Sequence, residues 1–310
     1  MPSPTHRHSS SILGLVFLTS LLSSGIGVFA KISLLSIPTM SFIFLRFFIA
    51  ALILFPFARK RFPVARRPLL ELTLVSCLAT ANTYFFAFGI KYTTANISQM
   101  LYAAVPILVT LISIFFLRRR ITKRTSLGIA IGFLGTAIFF ALPMITSGQT
   151  DLGSVKGNLL IFLAVIFYSL YLMLSQKLHD RFSLSQIVFV FTLVSTLASS
   201  LFALSDLHTS PRWWVGVPVE AILGLLYVAT VGTVLAFFLG QLIVKKADPL
   251  TASLTQYIQP FMTFVWAAML LNEKLTAVFV LGVICSLIGV YLTTSAERSK
   301  MLPLPPVDSR

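Results

Sequence analysis

The chain has 310 residues, of which 57% are hydrophobic and only 11% charged, against about a quarter charged in soluble domains. That balance excludes a soluble globular or a disordered protein and reads as an integral membrane protein. A formal net charge of +15 would point to nucleic acid in a soluble chain, but membrane topology accounts for it here and no nucleic-acid partner is expected.

Ten apolar runs follow one another along the chain, near residues 11–30, 38–57, 69–90, 94–117, 125–142, 157–176, 183–204, 218–241, 250–271 and 275–294. Each is long enough to cross a hydrocarbon core of about 30 Å at 1.5 Å per residue. None alternates in the manner of a barrel strand, so the fold class is all-α, with backbone amides satisfied inside each helix. Residues 1–10 form a short N-terminal segment. The first run, with Arg7 before it and "VFA" at 28–30, has the outline of a signal peptide. Its apolar core exceeds the roughly 7 to 15 residues of a signal, so it is read as a helix. Residues 143–156 make an external linker. The tail 295–310 contains "MLPLPPVDSR" and is expected to be disordered. Cys77 and Cys285 fall inside predicted helices and are expected to be free, buried thiols.

With the N-terminus in the cytoplasm, eighteen of the 24 basic residues fall in inner segments and five outside. The inner clusters include Arg59 to Arg67 and Arg118 to Arg124, and Arg46 alone stands within a predicted helix. This bias orients the chain with both termini inside; the membrane expected is a bacterial cytoplasmic one.

Adding 154 to residue numbers superposes Pro106 on Pro260, Arg120 on Lys274, Thr122 on Thr276, Gly128 on Gly282 and Gly135 on Gly289. Matches of type and spacing without a gap imply two homologous five-helix repeats, residues 11–142 and 157–294. An odd number of helices per repeat inverts the second copy in the membrane. One turn therefore lies inside, where its arginines belong, and the turn with Asn272, Glu273 and Lys274 lies outside.

Helix four with its proline, a short charged turn and a glycine-spaced fifth helix read "PILVTLISIFFLRRRIT" and "LGIAIGFLGTAIFF" in the first half. The second half reads "PLTASLTQYIQPFMTFVWAAMLLNEKLTAVFVLGVICSLIGVYL". With "PTMSFIFLRFFIAALIL" at 38–54, these stretches resemble the EamA-type transporters of the drug/metabolite transporter superfamily over residues 11–294. The resemblance implies ten transmembrane helices as two inverted five-helix repeats, and export or exchange of small metabolites or drugs. It also implies acidic residues after helix four and before the helix-nine proline. This chain departs there, with Arg119 and Gln259.

Polar groups at membrane depth are the candidate substrate-binding residues. Arg46 sits about 12 Å into its helix by the helical rise and must face a partner or a wet cavity. It is either a counter-charge for an anionic substrate group or a structural arginine reaching freed carbonyls or Glu220. Gln99 and Tyr102, and again Gln256 and Gln259, are spaced i to i+3 and share a helix face. Pro106 and Pro260 are read as mid-helix prolines that free the carbonyls of Tyr102 and Gln256. Asn82 and Tyr84, and Tyr168 and Tyr171, complete the candidates. The glycine series Gly128, Gly132, Gly135 and Gly282, Ser286, Gly289 is read as helices five and ten packing within one chain, which favours a monomer over a homodimer.

An intramembrane enzyme needs a nucleophile with a base, or a metal cluster. The sequence shows neither, so no catalytic residue, metal or cofactor is expected. The reading is a secondary transporter of a small molecule such as an amino acid, working as exporter, exchanger or facilitator. The alternative is a membrane receptor or scaffold on the same helices.

Overall fold

The computed structural model describes residues 4–59, 66–93, 95–115, 118, 121–147, 154–271 and 277–301. All the regular structure there is helical. In chain order the helices are α1 Pro4–Ser24, α2 Ile26–Leu34, α3 Thr39–Ala58, α4 Arg66–Gly89, α5 Ala95–Tyr102, α6 Val105–Phe115 and α7 Lys123–Ser147. The second half holds α8 Val155–Ser175, α9 Leu184–Thr209, α10 Val219–Tyr227, α11 Ala236–Lys246, α12 Pro249–Ser253, α13 Thr255–Leu271 and α14 Ala277–Met301.

Among the described residues six segments are long and apolar enough to cross a membrane: Ser11–Leu34, Thr39–Ala58, Arg66–Gly89, Val155–Asp180, Leu184–Asp206 and Val219–Lys246. Their outer faces carry large apolar side chains in the open, among them Leu52, Leu74, Leu159, Leu201 and Leu223. A water-soluble fold buries such a surface; a chain solvated by lipid does not. With the composition, this makes the protein an integral, multi-pass membrane protein.

Expected runs 94–117 and 250–271 are each two helices, parted at Ala103–Ala104 and at Leu254. The prolines do not both sit at the breaks. Pro106 lies in the first turn of α6, where a missing amide costs least, whereas Pro260 lies inside α13. Helix α7 extends to Ser147 and α14 to Met301, past the expected linker and tail boundaries. The expected turn of Asn272, Glu273 and Lys274, Arg119, and residues 148–153 and 302–310 lie outside the described residues. Cys285 is half-buried, but Cys77 is exposed. The apolar run hid which face of α4 meets lipid.

Helices α3 and α9 run antiparallel and complete each other's ends. The Asp206 carboxylate accepts from the Ser41 backbone N–H and from its hydroxyl, both at 2.8 Å, meeting orphan donors and positive dipole at the start of α3. At the other end Ser185 Oγ donates to Phe57 O at 3.2 Å and Gln186 Nε2 to Ala58 O at 3.5 Å. A Ser183–Gln186 capping box starts α9 itself. We expect Asp206→Ala to lower stability by about 1–2 kcal/mol, read as an earlier thermal transition in detergent, with Asp206→Asn intermediate.

The break between α1 and α2 falls at Gly25, where a Cβ would lie 2.7 Å from the Tyr227 hydroxyl. That hydroxyl donates to Leu22 O at 2.9 Å. Gln259 Nε2 donates to Ser23 O at 3.4 Å and Thr263 Oγ1 to Ser24 O at 2.9 Å. Three consecutive carbonyls are thus met by side chains from α10 and α13, which holds the bend in place.

Helices α7 and α14 cross antiparallel on their glycines. A Cβ on Gly128 would meet Gly289 O at 2.8 Å, and one on Gly135 would meet Gly282 O at 2.9 Å. Intrachain packing of the fifth and tenth expected helices is therefore what the glycine series serves. Two apolar clusters fill the interior. One centres on Val105, Val165, Leu172 and Tyr257, the other on Phe42, Phe47, Leu72 and Phe191. Tyr168 packs against both, and the cavity described next lies at that junction.

Candidate functional site

A cavity of about 100 Å³ opens between the two clusters, room for several water molecules. Eight of the nine residues expected at a substrate site line it together: Arg46, Asn82, Gln99, Tyr102, Tyr168, Tyr171, Gln256 and Gln259. They come from α3, α4, α5, α8, and α13, so the site is assembled from both halves of the chain. Tyr84 does not line it and packs instead against the α3–α9 cluster. Its pairing with Asn82 is corrected on helical geometry, because residues two apart point about 200° from one another.

The sequence reading missed Thr19, Ser23, Thr83, Gln241 and Thr255, which also line the cavity. Gln241 carried a legible signal. It is an amide deep in an apolar run, next to Gly240, and the structure buries it at 2% exposure.

Arg46 is buried, with 4% of its surface exposed. Its Nε donates to Thr233 Oγ1 at 2.7 Å, and Thr233 Oγ1 donates in turn to Val228 O at 2.8 Å. That second bond reaches back five residues, inside a π-helical stretch Val228–Leu235 between α10 and α11. The wider turn aims the Thr233 hydroxyl at the arginine. The guanidinium carbon also lies 5.1 Å from the Phe47 ring centroid, a cation–π contact. Thr233 is the one hydrogen-bond partner of the guanidinium among the described residues, leaving its terminal nitrogens for the cavity.

Among the described residues no carboxylate pairs with that charge. Ion pairs among the described residues are Arg67–Glu71 at 3.7 Å and Arg181–Glu71 at 3.1 Å, both on the surface. Asp206 caps α3, and Asp248 caps α12 through Thr251 N at 2.8 Å. Glu220 is exposed in the first turn of α10 and forms no ion pair with Arg46, which removes the structural partner entertained from sequence. A lone arginine at membrane depth costs about 2.5–3.5 kcal/mol on insertion scales, so wet surroundings are what make it tolerable.

Around it the polar groups divide into tied and free. Asn82 Nδ2 donates to Tyr102 Oη at 2.6 Å and to Ala164 O at 2.9 Å, joining α4, α5 and α8. Gln259 is tied to the α1–α2 bend, as above. Gln241 Nε2 donates to Ser175 Oγ at 3.2 Å, but its Oε1 has no hydrogen-bond partner, and neither does Gln99 Oε1. Both residues line the cavity, with these oxygens buried out of reach of solvent. Phe86, Tyr102, Tyr168 and Tyr171 form a continuous aromatic wall, with successive centroids 5.9, 6.1 and 6.4 Å apart. Among the described residues no group of three His, Cys, Asp or Glu side chains gathers to hold a metal.

The cavity thus presents a cation, amide groups and an aromatic wall together. The chain is 26% identical over 284 residues to the uncharacterized transporter YetK of Bacillus subtilis (strain 168), covering 87% of this chain and 83% of that one. It is 26% identical over 294 residues to an uncharacterized transporter of Archaeoglobus fulgidus, covering 92% and 97%. A crystal structure superposes with TM-score 0.72 at 18% identity, over 94% of this chain and 99% of the other, which speaks to fold. The EamA-like transporter family matches this sequence twice, over residues 10–141 and 155–295. The chain therefore belongs to the EamA-like transporter family.

Proposed function

We propose that the protein is a secondary transporter that moves one small solute at a time through the Arg46 cavity by alternating access. Its architecture is ten passages in two inverted halves with both termini in the cytoplasm. The observation that carries this reading is the convergence of eight polar and aromatic side chains from both halves on one buried cavity. Polar side chains at that depth are tolerated where a solute or water meets them.

Helix packing supports the inverted repeat. The α3–α9 and α7–α14 pairs each join equivalent helices of the two halves, and other packings come as exchanged pairs. Helix α4 on α8 is matched by α1 and α2 on α11 and α10, and α1 on α13 by α8 on α5 and α6. A rocking of one half against the other would open the cavity to alternate sides.

Counterflow in proteoliposomes tests the activity, using labelled amino acids, nucleosides and cationic dyes. Trans-stimulated uptake of one class is expected. A monodisperse, folded protein that moves none of them would sink the transporter reading in favour of a receptor or scaffold. Orientation is tested separately. In a background of Cys77→Ser and Cys285→Ser, a cysteine placed within 117–124 should resist an impermeant maleimide in intact cells, and one within 271–276 should react. The reverse pattern overturns the assigned topology.

A further inference from the structure

We infer that a second recess, separate from the Arg46 cavity, binds a zwitterion that pairs a primary ammonium with a phosphate, the chemistry of an aminophospholipid headgroup.

The recess has a volume of about 490 Å³ and lies where the connection between α2 and α3 meets the end of α9, with Thr39, Phe88, Lys91, Asp206, Ser210 and Trp213 in its wall. It shares no residue with the Arg46 cavity. Four membrane-crossing segments, Ser11–Leu34, Thr39–Ala58, Arg66–Gly89 and Leu184–Asp206, begin or end beside it. That puts it at the level where hydrocarbon gives way to headgroups. Leu35, Trp214 and Val215 stand exposed there, as apolar and tryptophan side chains do in a membrane interface. The turn after α9 sets Trp213 in the wall: its backbone N–H donates to Ser210 O at 3.2 Å, and Arg212 takes a left-handed φ of 61°.

Lys91 and Asp206 are the two charged side chains on this wall, and they form no ion pair with each other. Both bonds that Asp206 makes to Ser41 fall on its Oδ2, which leaves Oδ1 for a further donor. A lone cation would meet Asp206 and be repelled by Lys91, and a lone anion the reverse; a ligand carrying both charges meets both. Thr39 and Trp213 add a second observation. Thr39 is 6% exposed, and its Oγ1 and the Trp213 Nε1 are closed off from solvent without a hydrogen-bond partner. The wall is therefore short of acceptors. A phosphate seated on Lys91 supplies them, and rotation of the Thr39 side chain about χ1 brings its hydroxyl to bear. The ammonium must keep its hydrogens, because a trimethylated nitrogen has none to give Asp206.

The test uses the full-length protein purified in detergent, with bound lipid read by native mass spectrometry, and is independent of transport. Phosphatidylethanolamine and phosphatidylcholine of the same acyl chains are the probes. The first should bind about threefold or more tightly, the scale of one exposed ion pair. Asp206→Asn keeps an oxygen to cap α3 and should bring the two lipids to equal affinity. Lys91→Gln should weaken phosphatidylethanolamine by about threefold. Lys156→Gln should not, because that ammonium already lies 4.6 Å from the Tyr92 ring centroid. If Asp206→Asn aggregates, the comparison of the two lysine variants decides. Soluble O-phosphoethanolamine separates the two sources of this chemistry: displacement of the lipid at equal concentration assigns the recess to a free solute, and retention of the lipid assigns it to the bilayer. Equal affinity of the two lipids for the wild-type protein, a preference that survives Asp206→Asn, or lysine variants that behave alike would each overturn the inference.

Discussion

Gly289→Leu will leave little folded protein. A Cβ at Gly289 would lie 2.5 Å from both Gly128 O and Gly132 N, and 2.7 Å from Gly132 Cα. All three are backbone atoms of α7, so no rotamer change can make room and the two helices must separate. Their contact depends on dispersion between close backbones, since lipid supplies no hydrophobic drive between helices. Separating them would also release the weak Thr136–Ser286 contact at 3.4 Å. Overpacking a tight core typically costs about 1–3 kcal/mol even where side chains can yield; here they cannot, and the loss should exceed that range. Size-exclusion chromatography in detergent should show aggregate in place of a single peak. Gly240→Ala is the matched control, because nothing lies within 4 Å of its added Cβ; it should elute as wild type. A monodisperse Gly289→Leu with wild-type thermal stability would contradict the close crossing of α7 and α14.

Transport will persist in uncoupler, and a single substitution will make it respond to pH. Gln259 lines the cavity, and glutamine does not exchange a proton at physiological pH. Other carboxylates among the described residues stand elsewhere: Asp206 and Asp248 in helix caps, Glu71 in surface ion pairs and Glu220 exposed at the start of α10. Wild-type counterflow should therefore be the same with and without an imposed pH gradient. Gln259→Glu places an ionisable carboxyl in a chamber whose one charge among the described residues is Arg46. Protonated, that carboxyl mimics the amide and leaves the arginine free. Ionised, it offers the guanidinium of Arg46 a counter-charge within the cavity. Counterflow by Gln259→Glu should change as pH rises through the glutamate's ionisation, with Gln259→Met showing no such slope. Gradient-driven accumulation by the wild-type protein, abolished by uncoupler, would refute the claim.

The apolar runs, their lengths and the scarcity of charge were enough to name an all-helical membrane protein, because a bilayer admits few alternatives. The glycine spacing in α7 and α14 told truly of a close contact within one chain, since only small residues let two backbones meet. Polarity at depth was equally legible. Arg46, Gln99, Tyr102, Gln256 and Gln259 are conspicuous in apolar sequence, and they converge on one cavity. What periodicity could not supply was the facing of each helix and the places where helices break. Tyr84 looked equivalent to Asn82 until helical geometry turned it toward α9. The bend at Gly25 was invisible because its cause lies in Tyr227, Gln259 and Thr263, remote in sequence and adjacent only after folding. The same holds for the π-helical stretch that brings Thr233 to Arg46, and for Gln241, whose amide meets Ser175 on another helix. Local sequence determined which segments enter the membrane and which residues are costly there; the tertiary structure decided which of those residues meet, because hydrogen bonds between distant helices are set by packing and not by spacing along the chain.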